Sequence, residues 1–98
     1  MNLNPLDLMK QVGAFQEKLA AISATGSSGG GMVEIDLNGK FEITAVRISP
    51  DAIQGGDTEM LQDLVMAAFS GSLEKIREAI GREAGTIAGG MNIPGIFT

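Results

Sequence analysis

The sequence contains no cysteine and no histidine. The first absence excludes disulfides, thiolate metal sites and thiol nucleophiles. The second removes the side chain that most often moves protons near neutral pH, and with it the commonest metal ligand. Tryptophan and tyrosine are also missing, so Phe supplies all of the 4% aromatic content. The surface therefore lacks the amphipathic rings that anchor tight interfaces and stack on single-stranded bases. No apolar run approaches membrane-spanning length, and Met1–Leu8 places no basic region ahead of an apolar one. A soluble, cytoplasmic chain is expected.

Positive charge is scarce as well. Seven Lys and Arg face twelve Asp and Glu, for a formal net charge of −5. Over residues 1–31, Lys10 and Lys18 balance Asp7 and Glu17, and acids outnumber bases in both later stretches, 32–56 and 57–98. Nucleic-acid binding draws much of its affinity from Lys and Arg neutralising phosphates, so this balance by itself opposes a DNA-binding role. What the chain does have is apolar content: 44% of its 98 residues. That is enough for a folded domain and argues against disorder along most of its length. A chain this short buries a modest core, and oligomerisation is a common source of further stability.

Three stretches carry the clearest patterns. Asn4 can cap a first helix, Pro5 suits its first position, and Asp7 favours the positive end of the helix dipole. Leu8, Val12, Phe15, Leu19 and Ile22 then recur at the a/d spacing of a coiled-coil seam, with Gly13 inside the helix. The same spacing also fits a helix packed on its own sheet. Residues 25–31, Thr-Gly-Ser-Ser-Gly-Gly-Gly, break the helix into a loop or a poorly regular strand. They are not a phosphate loop, because no Gly-Lys-Ser/Thr ending or helix N-terminus follows.

Val33, Ile35 and Leu37 alternate with Glu34, Asp36 and Asn38, which marks a half-buried strand. Asn38-Gly39 is the preferred pair for a two-residue hairpin, and Phe41 and Ile43 continue the alternation on the return strand. The phase slips between Ala45 and Val46, where a bulge would restore Val46 and Ile48 to the inward face. Ser49-Pro50 ends the strand, and a polar connection follows over residues 51–57. Asp57 or Thr58 caps a long helix to about residue 84, with Leu61, Leu64, Val65, Ala68, Phe69, Leu73, Ile76 and Ile80 in one apolar stripe. Gly81, Gly85, Gly89 and Gly90 are expected to loosen the chain ahead of a flexible tail over 91–98, which leaves 1–90 as one domain.

No catalytic residue, metal site or cofactor is expected. Glu59 with Asp63, and Glu74 with Glu78, stand one turn apart on the long helix. Acid–base work needs a cleft and a perturbed environment, and Lys75, Arg77 and Arg82 beside the second pair describe a solvated face instead. Glu34, Asp36 and Glu42 lack the loop spacing of a calcium site. The methionines (Met9, Met32, Met60, Met66, Met91) read as core filler rather than a promiscuous groove.

The run Glu59-Met60-Leu61-Gln62-Asp63-Leu64-Val65-Met66-Ala67-Ala68-Phe69 resembles the most recognisable segment of the YbaB/EbfC family. Leu8-Met9-Lys10-Gln11, Thr25 to Gly31, Asn38-Gly39, Ile48-Ser49-Pro50 and Gly90-Met91-Asn92-Ile93-Pro94-Gly95 resemble its other landmarks, in order and across essentially the whole chain. The resemblance implies an α+β protomer, α-β-β-β-α in two layers around a small antiparallel sheet, with the extra strand drawn from Ile22 to Ser27. It implies a homodimer with projecting helices that binds duplex DNA with little sequence stringency, associates with the nucleoid, and affects DNA conformation and gene expression.

The DNA contacts it points to are Lys10, Lys18, Lys75, Arg77 and Arg82. Candidate dimer residues from the apolar stripes are Leu8, Val12, Phe15, Leu19, Leu64, Phe69, Leu73 and Ile76. Two departures remove positive charge: a short stretch from Lys10 to Thr25, and Glu34 where relatives often carry a basic residue. The alternative is a dimeric protein–protein adaptor with the same fold and an acidic surface. Neither reading includes an enzyme, a membrane partner or a small-molecule substrate.

Overall fold

The computed structural model describes residues 4–91, with side chains described to Gly85. A helix α1 (Pro5–Ala21) is followed by strands β1 (Ser23–Ser28), β2 (Val33–Asn38) and β3 (Ile43–Ile48), a single helical turn α2 (Pro50–Ile53), and a long helix α3 (Thr58–Met91). The strands form one antiparallel sheet in the order β1-β2-β3. The α+β class and the α-β-β-β-α order expected from the sequence are what the chain adopts.

The layers follow from which face each strand makes apolar. Val33, Ile35 and Leu37 of β2 are buried, and their partners on β1 are Ser28, Gly26 and Ala24. These side chains share one face, and α3 lies across it. The crossing is close because Gly26 carries no side chain. A Cβ there would run into the Ala68 carbonyl oxygen and the Ser72 backbone nitrogen. Ser28 Oγ adds a hydrogen bond of 2.6 Å to the Leu64 carbonyl, and Ser72 Oγ is satisfied by the Phe69 carbonyl at 2.8 Å. The core cluster is Val33, Ile35, Ala52 and Ala68, flanked by Leu61, Leu64, Val65 and Phe69.

Both helix starts behave as read. Asn4 caps α1 by accepting from the Leu6 N–H at 3.1 Å. Of the two cap candidates for α3, Asp57 takes the role, accepting from Met60 N–H at 3.0 Å. Ile22 lies just beyond α1 as its C-terminal cap.

Several expectations are corrected. Of the loop or poorly regular strand left open for residues 25–31, Thr25 to Ser28 adopt the strand, as the resemblance implied for Ile22 to Ser27; β1 has no apolar alternation of its own, and Gly26 lets α3 approach it closely. Asn38-Gly39 does not make a two-residue hairpin. The connection spans residues 39–42, and Asn38 Oδ1 accepts from the backbone of Lys40 and Glu42 at 2.9 and 3.1 Å. The left-handed residue is Phe41, with φ 61°. Gly39 serves a different purpose, since a Cβ there would strike the Leu19 carbonyl oxygen, and its N–H instead donates to that oxygen at 2.9 Å. This contact joins the end of α1 to the turn.

The bulge falls slightly earlier than read. Asp36 pairs with Ala45 and Leu37 with Ile43, so Thr44 is the extra residue. Its consequence is as expected, because Ile43, Val46 and Ile48 all come to the face shared with Val33, Ile35 and Leu37. The polar connection contains the one-turn helix α2, capped by Ser49 Oγ, and Ala52 within it is buried. Helix α3 continues through Gly81, Gly85, Gly89 and Gly90 to Met91, seven residues past the expected end. Each internal glycine costs about 1 kcal/mol against Ala. Its length is about 50 Å at about 1.5 Å per residue. The tail proposed over 91–98 lies, apart from Met91, outside the described residues.

Candidate nucleic-acid interface

The cations are distributed over three elements, and their surroundings differ. Lys10 and Lys18 are exposed on α1, a helix with no buried residue, and Lys18 sits in its last turn. Lys75, Arg77 and Arg82 are exposed on α3. Lys75 Nζ donates to the Thr25 carbonyl oxygen at 3.1 Å, which ties it to the edge strand β1. The five candidate contacts therefore lie on the two helices at either end of the chain.

The two remaining cations lie on β3 and the turn before it. Lys40, in the β2–β3 turn, has Glu42 Oε1 at 3.9 Å. Arg47 is held far more firmly. Its Nη1 and Nη2 donate to the two carboxylate oxygens of Asp36, each at 2.8 Å, and its Nε reaches Glu34 Oε1 at 3.4 Å. Thr25 Oγ1 donates to Asp36 Oδ1 at 2.7 Å. These hydrogen bonds, from Arg47 first and Thr25 second, lower the Asp36 carboxyl from 3.8 to about 2. The hydrogen bonds to Asp36 first and Glu34 second raise Arg47 above its ordinary value. The cross-strand pairs Thr25–Asp36 and Glu34–Arg47 put this network on the face away from α3. There the charge of Arg47 is neutralised locally, and an incoming phosphate would have to compete with a bidentate carboxylate.

A cleft of about 510 Å³ opens between the β1–β2 turn and the start of α3, lined in part by Ser28, Asp57, Glu59 and Asp63. Its three carboxylates and absence of lining cations make it unsuited to an anion. Asp57 is already engaged as the α3 cap. Among the described residues no group of three acidic side chains is placed to hold a metal ion, and no helix is long and apolar enough to cross a membrane.

The apolar candidates separate into two groups. Leu8, Val12 and Phe15 stand about half exposed along α1, and Leu19 is half-buried near the Gly39 contact. Leu64, Phe69 and Leu73 are half-buried on α3, whereas Ile76 is fully buried within the chain. The residues that the sequence reading missed are on β3. Ile43 and Val46 are 55% and 50% exposed, although they occupy the same face as the core residues of β2. With Ile35, Val65, Met66 and Phe69 they line an open trough of about 350 Å³. The sequence reading had placed these residues on the inward face, and their exposure follows from the position of α3, for which the sequence carries no local signal.

A model of the YbaB/EbfC DNA-binding family matches residues 4–91, the same span that the structure describes. The chain belongs to this family. Curated relatives agree along most of their length. A nucleoid-associated protein of Desulfotalea psychrophila is 44% identical over 88 residues, covering 90% of this chain and 83% of the relative. A nucleoid-associated protein of Syntrophobacter fumaroxidans is 40% identical over 97 residues, covering 95% and 88% respectively. The fold is similar to the crystal structure of an uncharacterized Helicobacter pylori protein, with a TM-score of 0.64 at 28% identity. That match covers 86% of this chain and 99% of the other. Within the family's shared fold, the member described here carries its cations mainly on α1 and α3 and neutralises Arg47 on the open sheet face.

Proposed function

We propose that this chain is a nucleoid-associated protein that binds duplex DNA as a homodimer, with low sequence stringency. The observation that carries the reading is the family match across all of residues 4–91. The placement of Lys10, Lys18, Arg77 and Arg82 on the exposed surfaces of two helices supports it, since such groups can meet phosphates without reading bases. With no Tyr or Trp and no bidentate reading motif, affinity rests on a small number of backbone contacts and falls steeply with salt. Bound in this way, the protein acts on DNA conformation and through it on gene expression. No catalysis is part of the reading, in a chain without His or Cys.

The net charge of −5 and the acid-lined cleft favour a second reading, a dimeric adaptor whose acidic surface meets a protein partner. Anisotropy titration on duplex DNA at low and moderate salt separates the two. Wild-type binding that is weakened when Lys10, Lys18, Lys75, Arg77 and Arg82 are changed to Ala supports the nucleoid reading. An absence of binding even at low salt transfers the weight to the adaptor.

A further inference from the structure

Asn38-Gly39 is the one Asn-Gly pair in the chain, and its setting is not that of a hairpin tip. Asn-Gly is the dipeptide most prone to lose its side-chain amide, because glycine leaves its own nitrogen unhindered for attack on the neighbouring side chain. The electrophile is prepared for that reaction. Asn38 Oδ1 accepts from the backbone N–H groups of Lys40 and Glu42 at 2.9 and 3.1 Å. Two such donors polarise the amide carbon and stabilise negative charge on its oxygen as a nucleophile adds. Asn38 Nδ2, the leaving nitrogen, donates to Glu42 Oε1 at 3.0 Å. All three contacts span two to four residues, so they belong to the turn itself.

The nucleophile is restrained from outside the turn. Gly39 N–H donates to the Leu19 carbonyl oxygen at 2.9 Å and to the Ile22 carbonyl oxygen at 3.1 Å, both at the end of α1. Attack requires this nitrogen to give up its proton, and the resulting anion would face two carbonyl oxygens. The restraint is only as firm as the seating of α1, a helix that buries none of its residues. An element with so little buried surface opens at a small fraction of the cost of global unfolding.

We propose that Asn38 is a self-modification site, activated within the turn and held in check by the end of α1. When α1 lifts away, Gly39 N bonds to Asn38 Cγ, and its proton passes through solvent to Nδ2. The Cγ–Nδ2 bond then breaks and ammonia leaves. Water opens the five-membered imide at either carbonyl, giving aspartate or its β-linked isomer, with no oxidant, reductant or cofactor. Either product sets a carboxylate beside Glu42 where an amide had donated, and the β-linked product also lengthens the backbone ahead of the Gly39 N–H. The reaction thus leaves a one-way record of opening and weakens the seat to which α1 returns. Lys10 and Lys18 ride on α1, so their placement against DNA rests on the reading above, whereas the modification does not.

The test follows amide-to-acid conversion at Asn38 by peptide mapping and mass spectrometry, with the full chain kept in warm, mildly alkaline buffer. A synthetic peptide of residues 36–42 is the unrestrained reference. Ala20→Pro removes the check: Ala20 is exposed, and the residue before a proline leaves helical geometry, which turns the Leu19 carbonyl away from Gly39. The wild type is expected to convert at least about tenfold slower than the peptide, and Ala20→Pro severalfold faster than the wild type with its sheet intact by circular dichroism. A wild type that converts at the rate of the peptide overturns the proposal, as does an Ala20→Pro chain that converts no faster than the wild type.

Should Ala20→Pro not fold, the wild type in graded urea gives a second measurement, with hydrogen exchange at the Gly39 amide followed alongside conversion. Both rising together below the unfolding transition supports the check by α1, and conversion confined to global unfolding overturns it. Trypsin cleavage after Lys18 reads the consequence. It is expected to be severalfold faster in Asn38→Asp than in the wild type, and equal rates overturn the weakened seat.

Discussion

The two sides of the small sheet, β1 and β3, face the same long helix and fare differently. β1 has almost no apolar side chains, yet Gly26 beneath Ala68 and Ser72 makes it the strand most intimately covered by α3. β3 has Ile43, Val46 and Ile48 on that same face, and all three are exposed. Hydrophobic content decided neither outcome. The distance of closest approach did: a backbone without a side chain lets the helix settle on one edge, and a helix settled there is too far away to cover the other. The chain thus hides its polar edge and leaves its apolar edge exposed. Helix α1 belongs with β3 in this respect, since it buries none of its residues and is attached at the Gly39 turn.

Substitutions on the covered side should cost most. Ile76→Ala removes a fully buried side chain and should lower the unfolding free energy by about 3 kcal/mol in urea titration. Leu6→Ala, on the exposed surface of α1, should change it by less than about 0.5 kcal/mol. Gly26→Ala should cost about 2 kcal/mol, because the added Cβ meets backbone atoms that have no rotamer to change. Gly13→Ala should stabilise by about 1 kcal/mol, as nothing lies within reach of its Cβ and the site is helical. Equal effects at the two glycines would break the comparison between the two sides.

DNA binding sharpens it further. Replacing Lys10 and Lys18 together with Ala should flatten the slope of log affinity against log salt by about 2 for each protomer in contact. Arg47→Ala should leave that slope unchanged, because Asp36 and Glu34 already hold the guanidinium. The smallest effect is on acid stability. Asp36, at about 2 when folded against 3.8 ordinarily, contributes stability that is complete well above pH 3.8 and is lost as the pH falls toward 2. Asp36→Asn should remove that component from acid titration followed by circular dichroism, leaving a shallower loss than in the wild type.

How legible each element was depended on whether its residues carried a period. α1 and α3 recur at helical spacing and begin with Asn4 and Asp57 as caps, so the start of α1 was readable to the residue and that of α3 to within one. β2 alternates cleanly and was equally plain. β1 was hidden because Ser-Ala-Thr-Gly-Ser-Ser alternates nothing, and its strand character came to light only through the family resemblance. The DNA candidates lie on exposed helix surfaces, as a count of Lys and Arg on those helices can find them. The neutralised state of Arg47 depends on register, since Asp36 lies on a neighbouring strand, eleven residues back in the chain. The trough was missed because the residues of β3 were read onto the inward face correctly, while the failure of α3 to cover that face depends on where the helix settles.

Taken by itself, the order of residues determined most of the elements: two capped amphipathic helices around a pair of alternating strands, a cysteine- and histidine-free chemistry, and a recognisable family resemblance. Those properties are local, carried by neighbours within a turn or a pleat. Tertiary structure alone decided which edge of the sheet the long helix covers, which cation is engaged by carboxylates, and which apolar surface is left open. Each of these depends on how near two distant backbones can come, and at Gly26 that limit is set by the absence of a single carbon atom.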